Sequence, residues 1–285
     1  MKKLSDNIYV ETHYFAPNVG CIVTNEGAVL VDSPFLPKDV YHWKDAVNKI
    51  AGSSGCRYII NTHSHFDHVI NSSVLSPHII SSEACLKGFA HYRDKNNLYN
   101  DIKMFFPKEF EQYEEDFSKT EIKFPEITFS EKLIVHLGNI DIQLICCGGH
   151  TRGSTLVYVP SQKVLFCGDD IENNHHPAMG AAHFATWVKI LHDIEHMDVS
   201  YIVPGHGEIG GKILATNMRA YFEEMIGEVK KNRDAGLEFK PLIEKSRQHM
   251  LNYLPVENED EMKFTVVGLS IGIERLCKQL WPEGI

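Results

Sequence analysis

The sequence predicts an α/β protein in which two mixed sheets pack face to face with helices outside, a four-layer αββα sandwich. Three observations predict it. Short β-rich runs fall into two groups, one before about residue 60 and one between about 133 and 167. Each group is followed by segments of helical spacing, and the histidine- and aspartate-bearing stretches stand directly after strand ends, as they do where loops converge at one edge of a layered fold.

In chain order, Ile8-Tyr9-Val10, Cys21-Ile22-Val23 and Val29-Leu30-Val31 are apolar β-formers around a turn at Asn25-Glu26-Gly27, a hairpin entering a sheet. From about 38 to 50, Val40, Trp43, Val47 and Ile50 share one helix face. Tyr58-Ile59-Ile60 then forms a buried strand that ends at Asn61 and delivers Thr62-His63-Ser64-His65 into a loop. Between about 82 and 117 the pattern changes to aromatic and charged residues, and this stretch is expected to be a two-helix insertion. Leu133-Ile134-Val135, Ile140 to Cys146, Thr155 to Val159 and Lys163 to Cys167, with turns at Leu137-Gly138-Asn139 and Pro160-Ser161, supply the second set of strands. A helix near 186–196, a strand at Tyr201-Ile202-Val203 and helices near 212–232, 239–253 and 266–280 follow. No repeat and no Pro/Gly/Ser linker breaks the chain, so 1–285 is expected to be a single domain whose C-terminal helices begin at about 212.

Composition narrows the function classes. A formal net charge of −10, from 28 Lys plus Arg against 38 Asp plus Glu, opposes a partner held by phosphate neutralisation, so no nucleic acid is expected. No run reaches the roughly 18 apolar residues that span a bilayer, and Leu4-Ser5-Asp6-Asn7 stands where a signal peptide would need its apolar core. The expectation is a cytoplasmic protein acting on a small molecule, with no membrane partner and an oligomeric state left open. The 7 cysteines are odd in number and lack Cys-x-x-Cys spacing, so they read as free thiols, with Cys21, Cys146 and Cys167 in the core.

The chemistry lies in spacing. In His63-Ser64-His65-Phe66-Asp67-His68, four metal-ligand residues fall within six positions immediately after a buried strand. An extended segment points His63 and His65 to one side, and the next turn can carry Asp67 and His68 to a second point nearby. Gly148-Gly149-His150-Thr151, Phe166-Cys167-Gly168-Asp169 and Val203-Pro204-Gly205-His206-Gly207 add three more candidate ligands, each beside glycines that permit close backbone approach.

At these residues the chain resembles the metallo-β-lactamase superfamily, whose signature is a His-x-His-x-Asp-His block followed by separated His, Asp and His ligands. All seven positions match, and the resemblance covers about residues 5–215, with looser similarity in the trailing helices. It implies that His63, His65 and His150 bind one divalent metal ion and Asp67, His68 and His206 a second, with Asp169 bridging. Zinc is the expected metal, with iron or manganese as alternatives. Asp169 is preferred over Asp170 because the family's bridging residue directly follows glycine, here Gly168. Asp32, after Val29-Leu30-Val31, matches an aspartate that often precedes the block and either fixes a ligand histidine or merely caps its strand. His175, His176 and Arg152 are not expected to be ligands.

Two cations held this way make hydroxide from a bridging water near neutral pH and polarise a carbonyl or phosphoryl oxygen, so the expected activity is hydrolysis of a small ester, thioester, lactone or lactam. Asp67 is expected to act both as ligand and as the catalytic group that orients the water or takes its proton. The alternatives on the same fold are iron-dependent redox chemistry with oxygen, nitric oxide or persulfide, and nucleic-acid processing. His65 opposes the first, because the di-iron reductases usually place Glu there, and the acidic charge opposes the second. Phe89, Tyr92, Tyr99, Phe105 and Phe106, with the loop at 172–184, are available to wall an apolar pocket, or else to turn inward as core.

Overall fold

A computed structural model describes residues 1–76, 78–256 and 258–283. The first sheet contains β1 (Lys2–Lys3), β2 (Ile8–Glu11), β3 (Val19–Thr24), β4 (Gly27–Val31), β5 (Cys56–Ile60), β6 (Ile79–Ser82) and β7 (Ile127–Phe129), in that spatial order. It is antiparallel through β4 and parallel from β4 to β7. The second sheet contains β8 (Lys132–Leu137), β9 (Ile140–Cys146), β10 (Thr155–Val159), β11 (Val164–Glu172) and β12 (Tyr201–His206) in the order β12-β11-β10-β9-β8, with only β11 and β12 parallel.

Side-chain alternation converts these sheets into layers. In β4, Val29 and Val31 pack with Val157, Val159, Val164 and Phe166 of the second sheet, while Ala28 and Leu30 face the other way. There they meet Val40, Trp43 and Val47 of α1 (Pro37–Ala51), a helix that starts on Pro37 and stops at Gly52 (φ 62°). In β11, Leu165 and Cys167 turn outward onto α7 (Phe184–His196) and α8 (Ile213–Asp234), which carry α9 (Phe239–Tyr253) and α10 (Glu259–Leu280). The order helix, sheet, sheet, helix is the predicted αββα sandwich. No helix among the described residues is long and apolar enough to cross a membrane.

Two expectations are corrected in detail. After the short helices α2 (Phe66–Val69) and α3 (Ser72–Leu75), the stretch expected to hold two helices forms three: α4 (Glu83–Phe89), α5 (Lys95–Phe105) and α6 (Pro107–Lys119). Asp94 caps α5 by accepting from Asn96 N, and Pro107 ends it by forcing Phe106 out of helical geometry (φ −134°, ψ 61°). Cys21 and Cys167 are buried as expected, but Cys146 is only half-buried at the end of β9.

Candidate metal centre

Four loops and strand ends meet at one edge of the sandwich. His63, His65, Asp67 and His68 follow β5, His150 follows β9, His206 ends β12, and Asp169 lies within β11. Asp169 was expected on a loop. Instead β11 continues beside β12 through register shifts around Gly168, which turn the strand so that Asp169 faces the cluster.

The donor atoms form two groups, His63, His65, His150 and Asp169, and Asp67, His68 and His206, each with its atoms within 4.8 Å of one another. Asp169 Oδ2 lies 3.4 Å from His63 Nε2 and 3.5 Å from His150 Nε2. Its Oδ1 lies 3.0 Å from His68 Nε2 and 3.5 Å from His206 Nε2. Asp67 Oδ2 lies 3.5 Å from His206 Nε2 and 3.7 Å from His68 Nε2. Ligands about 2.0–2.2 Å from a tetrahedral ion stand about 3.3–3.6 Å from one another, so most of these separations match donors arranged around an ion. His63 Nε2 is buried with no hydrogen bond, and His68 Nε2 and Asp169 Oδ1, though 3.0 Å apart, are buried without a well-aligned one, an arrangement that a shared ligand in their midst would relieve. His150 Nε2 and His65 Nδ1 are 2.9 Å apart. The residues fit a metal ion by donor type, spacing and unmet polar atoms.

The two halves differ electrostatically. Burial, then the neighbouring His150 and His63, holds His65 well below the ordinary histidine range, and burial pushes His150 down to about 3. Burial works against protonation of His68 and His206 too, but Asp169, Asp67 and, for His68, Asp32 outweigh it. His68 is held well above the ordinary range and His206 is pushed up to about 9. Burial alone would raise Asp169, but His68, His206 and His63 hold it well below the usual carboxylate range. His65 and His150 are thus held toward the neutral form in one half, while His68 and His206 are held toward the charged form in the other.

A second layer orients the first. Asp32 (φ 56°) is buried; its Oδ2 lies 2.8 Å from His68 Nδ1 and accepts from Thr62 Oγ1, while its Oδ1 accepts from Thr62 N. Of the two readings of Asp32, its contacts match the one that orients His68. Asp170 points away from the cluster: its Oδ1 accepts from His150 N at 2.8 Å, its Oδ2 from Cys147 Sγ at 3.0 Å, and burial pushes its carboxyl up to about 7. His206 Nδ1 lies 3.1 Å from Ala16 O, leaving Nε2 to the cluster. Sequence reasoning missed Thr62, Cys147, Trp187, whose ring lies 5.5 Å from that of His150, and Ala16. No local motif marks them, because each acts through contacts distant in sequence.

The remaining sites fall outside the cluster. His176 is held between Tyr221 Oη and Leu254 O, both at 2.7 Å; His175 pairs with Glu261, and Arg152 is exposed. Among the aromatic residues expected near a pocket, Phe89 is fully buried core, Tyr92, Tyr99 and Phe106 are half-buried, and Phe105 is 47% exposed.

Comparison with known proteins bears on the family and the fold. Residues 14–206 match the family model described as the metallo-beta-lactamase superfamily. A type 2 metallo-beta-lactamase of Elizabethkingia meningoseptica is 25% identical over 223 residues, 73% of this chain and 78% of that protein. The fold is similar to that of a metallo-beta-lactamase from Pontibacter korlensis, with a TM-score of 0.60 and 18% identity over 78% of this chain and 97% of that one. It is also similar to a metallo-beta-lactamase family protein from Thermus thermophilus, with a TM-score of 0.69 and 14% identity over 99% and 95% of the two chains. With the family model spanning more than half of its length, the chain belongs to the metallo-beta-lactamase superfamily.

Proposed function

We propose that the chain is a hydrolase that works with two divalent metal ions, zinc foremost, on a small ester, thioester, lactone or lactam. His63, His65 and His150 hold one ion, Asp67, His68 and His206 the other, and Asp169 stands between them. The observation that carries this reading is the division of one carboxylate, with Asp169 Oδ2 facing His63 and His150 while Oδ1 faces His68 and His206.

When bound, the ions supply a water of lowered pKa and polarise the substrate's carbonyl or phosphoryl oxygen. Asp67, 8% exposed and within the second ligand group, would orient that water or accept its proton. The buried Asp32 and Asp170 keep His68 and the His150 backbone in place, so the ligand set is organised before substrate arrives. No Ser or Cys nucleophile is required. Cys147, whose thiol donates to Asp170, is pushed well above the usual thiol range by burial first and then by Asp170.

An aromatic group that begins within the ligand block itself supports a partly hydrophobic substrate. Phe66 sits between His65 and Asp67, with its ring 6.2 Å from that of the exposed Phe105 and 5.7 Å from that of Phe106, which in turn meets Phe15 at 5.1 Å. The net charge of −10 speaks against nucleic acid. The test is metal analysis of protein purified without added metal, together with a panel of lactone, thioester, lactam and phosphodiester substrates. About two metals per chain and turnover of one carbonyl class are expected. Near-zero metal, or a loaded protein inert on every member of the panel, would overturn the reading.

A further inference from the structure

His206 lies in Pro204-Gly205-His206-Gly207, a segment that cannot stiffen itself. A side chain at Gly205 would come within 2.0 Å of Asp169 Oδ1 and 2.7 Å of Gly168 C, and Gly207 sits at φ 86° with Asn173 O where its Cβ would be. Both positions therefore require glycine, the residue with the most backbone freedom to lose, on either side of a residue whose imidazole must be held still.

Beyond its pairing with β11, the segment is held from the other sheet. Asn18, buried in the turn before β3, donates through Nδ2 to Pro204 O at 2.9 Å and Gly207 O at 2.8 Å, and through its backbone N to Gly205 O at 2.8 Å. One residue thus captures three carbonyls of the ligand segment across some 186 positions of chain. Asn173 N takes the fourth, His206 O, at 3.0 Å. Two residues before Asn18, Ala16 adopts φ 73°, unusual for a residue with a side chain, and its carbonyl meets His206 Nδ1.

We infer that Asn18 is a positioning residue for the second half of the metal centre: it clamps the glycine-flanked His206 segment and holds the Ala16 carbonyl where it fixes the His206 ring. The inference rests on the two-metal reading. It implies that this hairpin turn governs the affinity of the Asp67, His68 and His206 group while leaving that of His63, His65 and His150 intact. A purely structural asparagine would affect both halves alike.

Two measurements test it, on wild type, Asn18→Ala and Asn18→Asp, the last filling the same space without amide donors. In cobalt(II) titrations followed by absorbance, the first equivalent should bind both variants as it binds wild type, and the second about 10–100-fold more weakly. Unchanged binding of the second equivalent, or equal weakening of both, overturns the inference. In metal-free protein, hydrogen exchange at the amides of 205–210 should quicken at least about tenfold in the variants, while β9 and β10 stay protected. No change there overturns the clamp even if wild type takes only one ion, a result that would sink the two-metal reading by itself. Should neither variant fold, wild-type exchange decides: the Asn18 amide and those of 205–207 should open together, and independent opening refutes the clamp.

Discussion

Asp32 Oδ2 lies 2.8 Å from His68 Nδ1, so a carboxylate on the end of β4 sets which nitrogen of a histidine 36 positions later faces the candidate metal site. Asp32→Asn keeps the shape but can offer an amide N–H where an acceptor is needed. Metal affinity measured by chelator competition should fall about 10–100-fold. Wild-type affinity in the variant would leave Asp32 as a strand cap for Thr62 alone.

Asp169 and Asp170 are adjacent yet face opposite ways, and substitution should separate them. Asp169→Ala should lose metal and activity together, since its two oxygens face both ligand groups. Asp170→Asn should retain the metal content, because its contacts are to His150 N and the Cys147 thiol. Elemental analysis of both variants decides. Two metals retained by Asp169→Ala would end its bridging role.

Gly205→Ala tests close packing at the centre. The added methyl would press on Asp169 Oδ1 and the Gly168 backbone, neither of which can give way without moving the cluster. A destabilisation of about 1–3 kcal/mol in metal-free protein and a loss of bound metal are expected, read from denaturant melts and metal analysis.

The aromatic residues of the insertion should divide by burial. Phe89→Ala removes a fully buried ring and should cost about 3–5 kcal/mol. Phe105→Ala, at 47% exposure, should change stability by no more than about 0.5 kcal/mol yet alter relative kcat/KM along an acyl-chain series with metal unchanged. Flat ratios would place specificity elsewhere.

Glu11 predicts one limb of the acid denaturation curve. Burial would raise its pKa, but the N-terminal ammonium and the backbone and ring of His13 lower it from 4.5 to about 2. A depressed carboxyl stabilises the fold above its unfolded value and loses that contribution as pH falls through the folded one. Wild type should therefore lose stability between about pH 4.5 and 2 more steeply than Glu11→Gln. Parallel curves for the two proteins would rule the contribution out.

The sequence by itself determined the layer order and singled out the candidate ligand residues that the fold brings together. Alternation such as Val29 and Val31 against Ala28 and Leu30 encodes two buried faces per strand, and a His-x-His-x-Asp-His block after a buried strand is local information. It also favoured Asp169 over Asp170, through the preceding glycine. Only the tertiary structure decided that Asp170 supports His150, that Asp32 orients His68 rather than merely ending a strand, that Phe89 is core while Phe105 is exposed, and that Pro107 splits the insertion into further helices. Asn18 and Ala16 carry no motif at all, because the Ala16 contact to His206 joins segments about 190 residues apart. Periodicity and spacing record what a residue does within its own element; which backbone carbonyl or ring it meets across the sandwich is set by packing of the two sheets, and that appears only when the chain is folded.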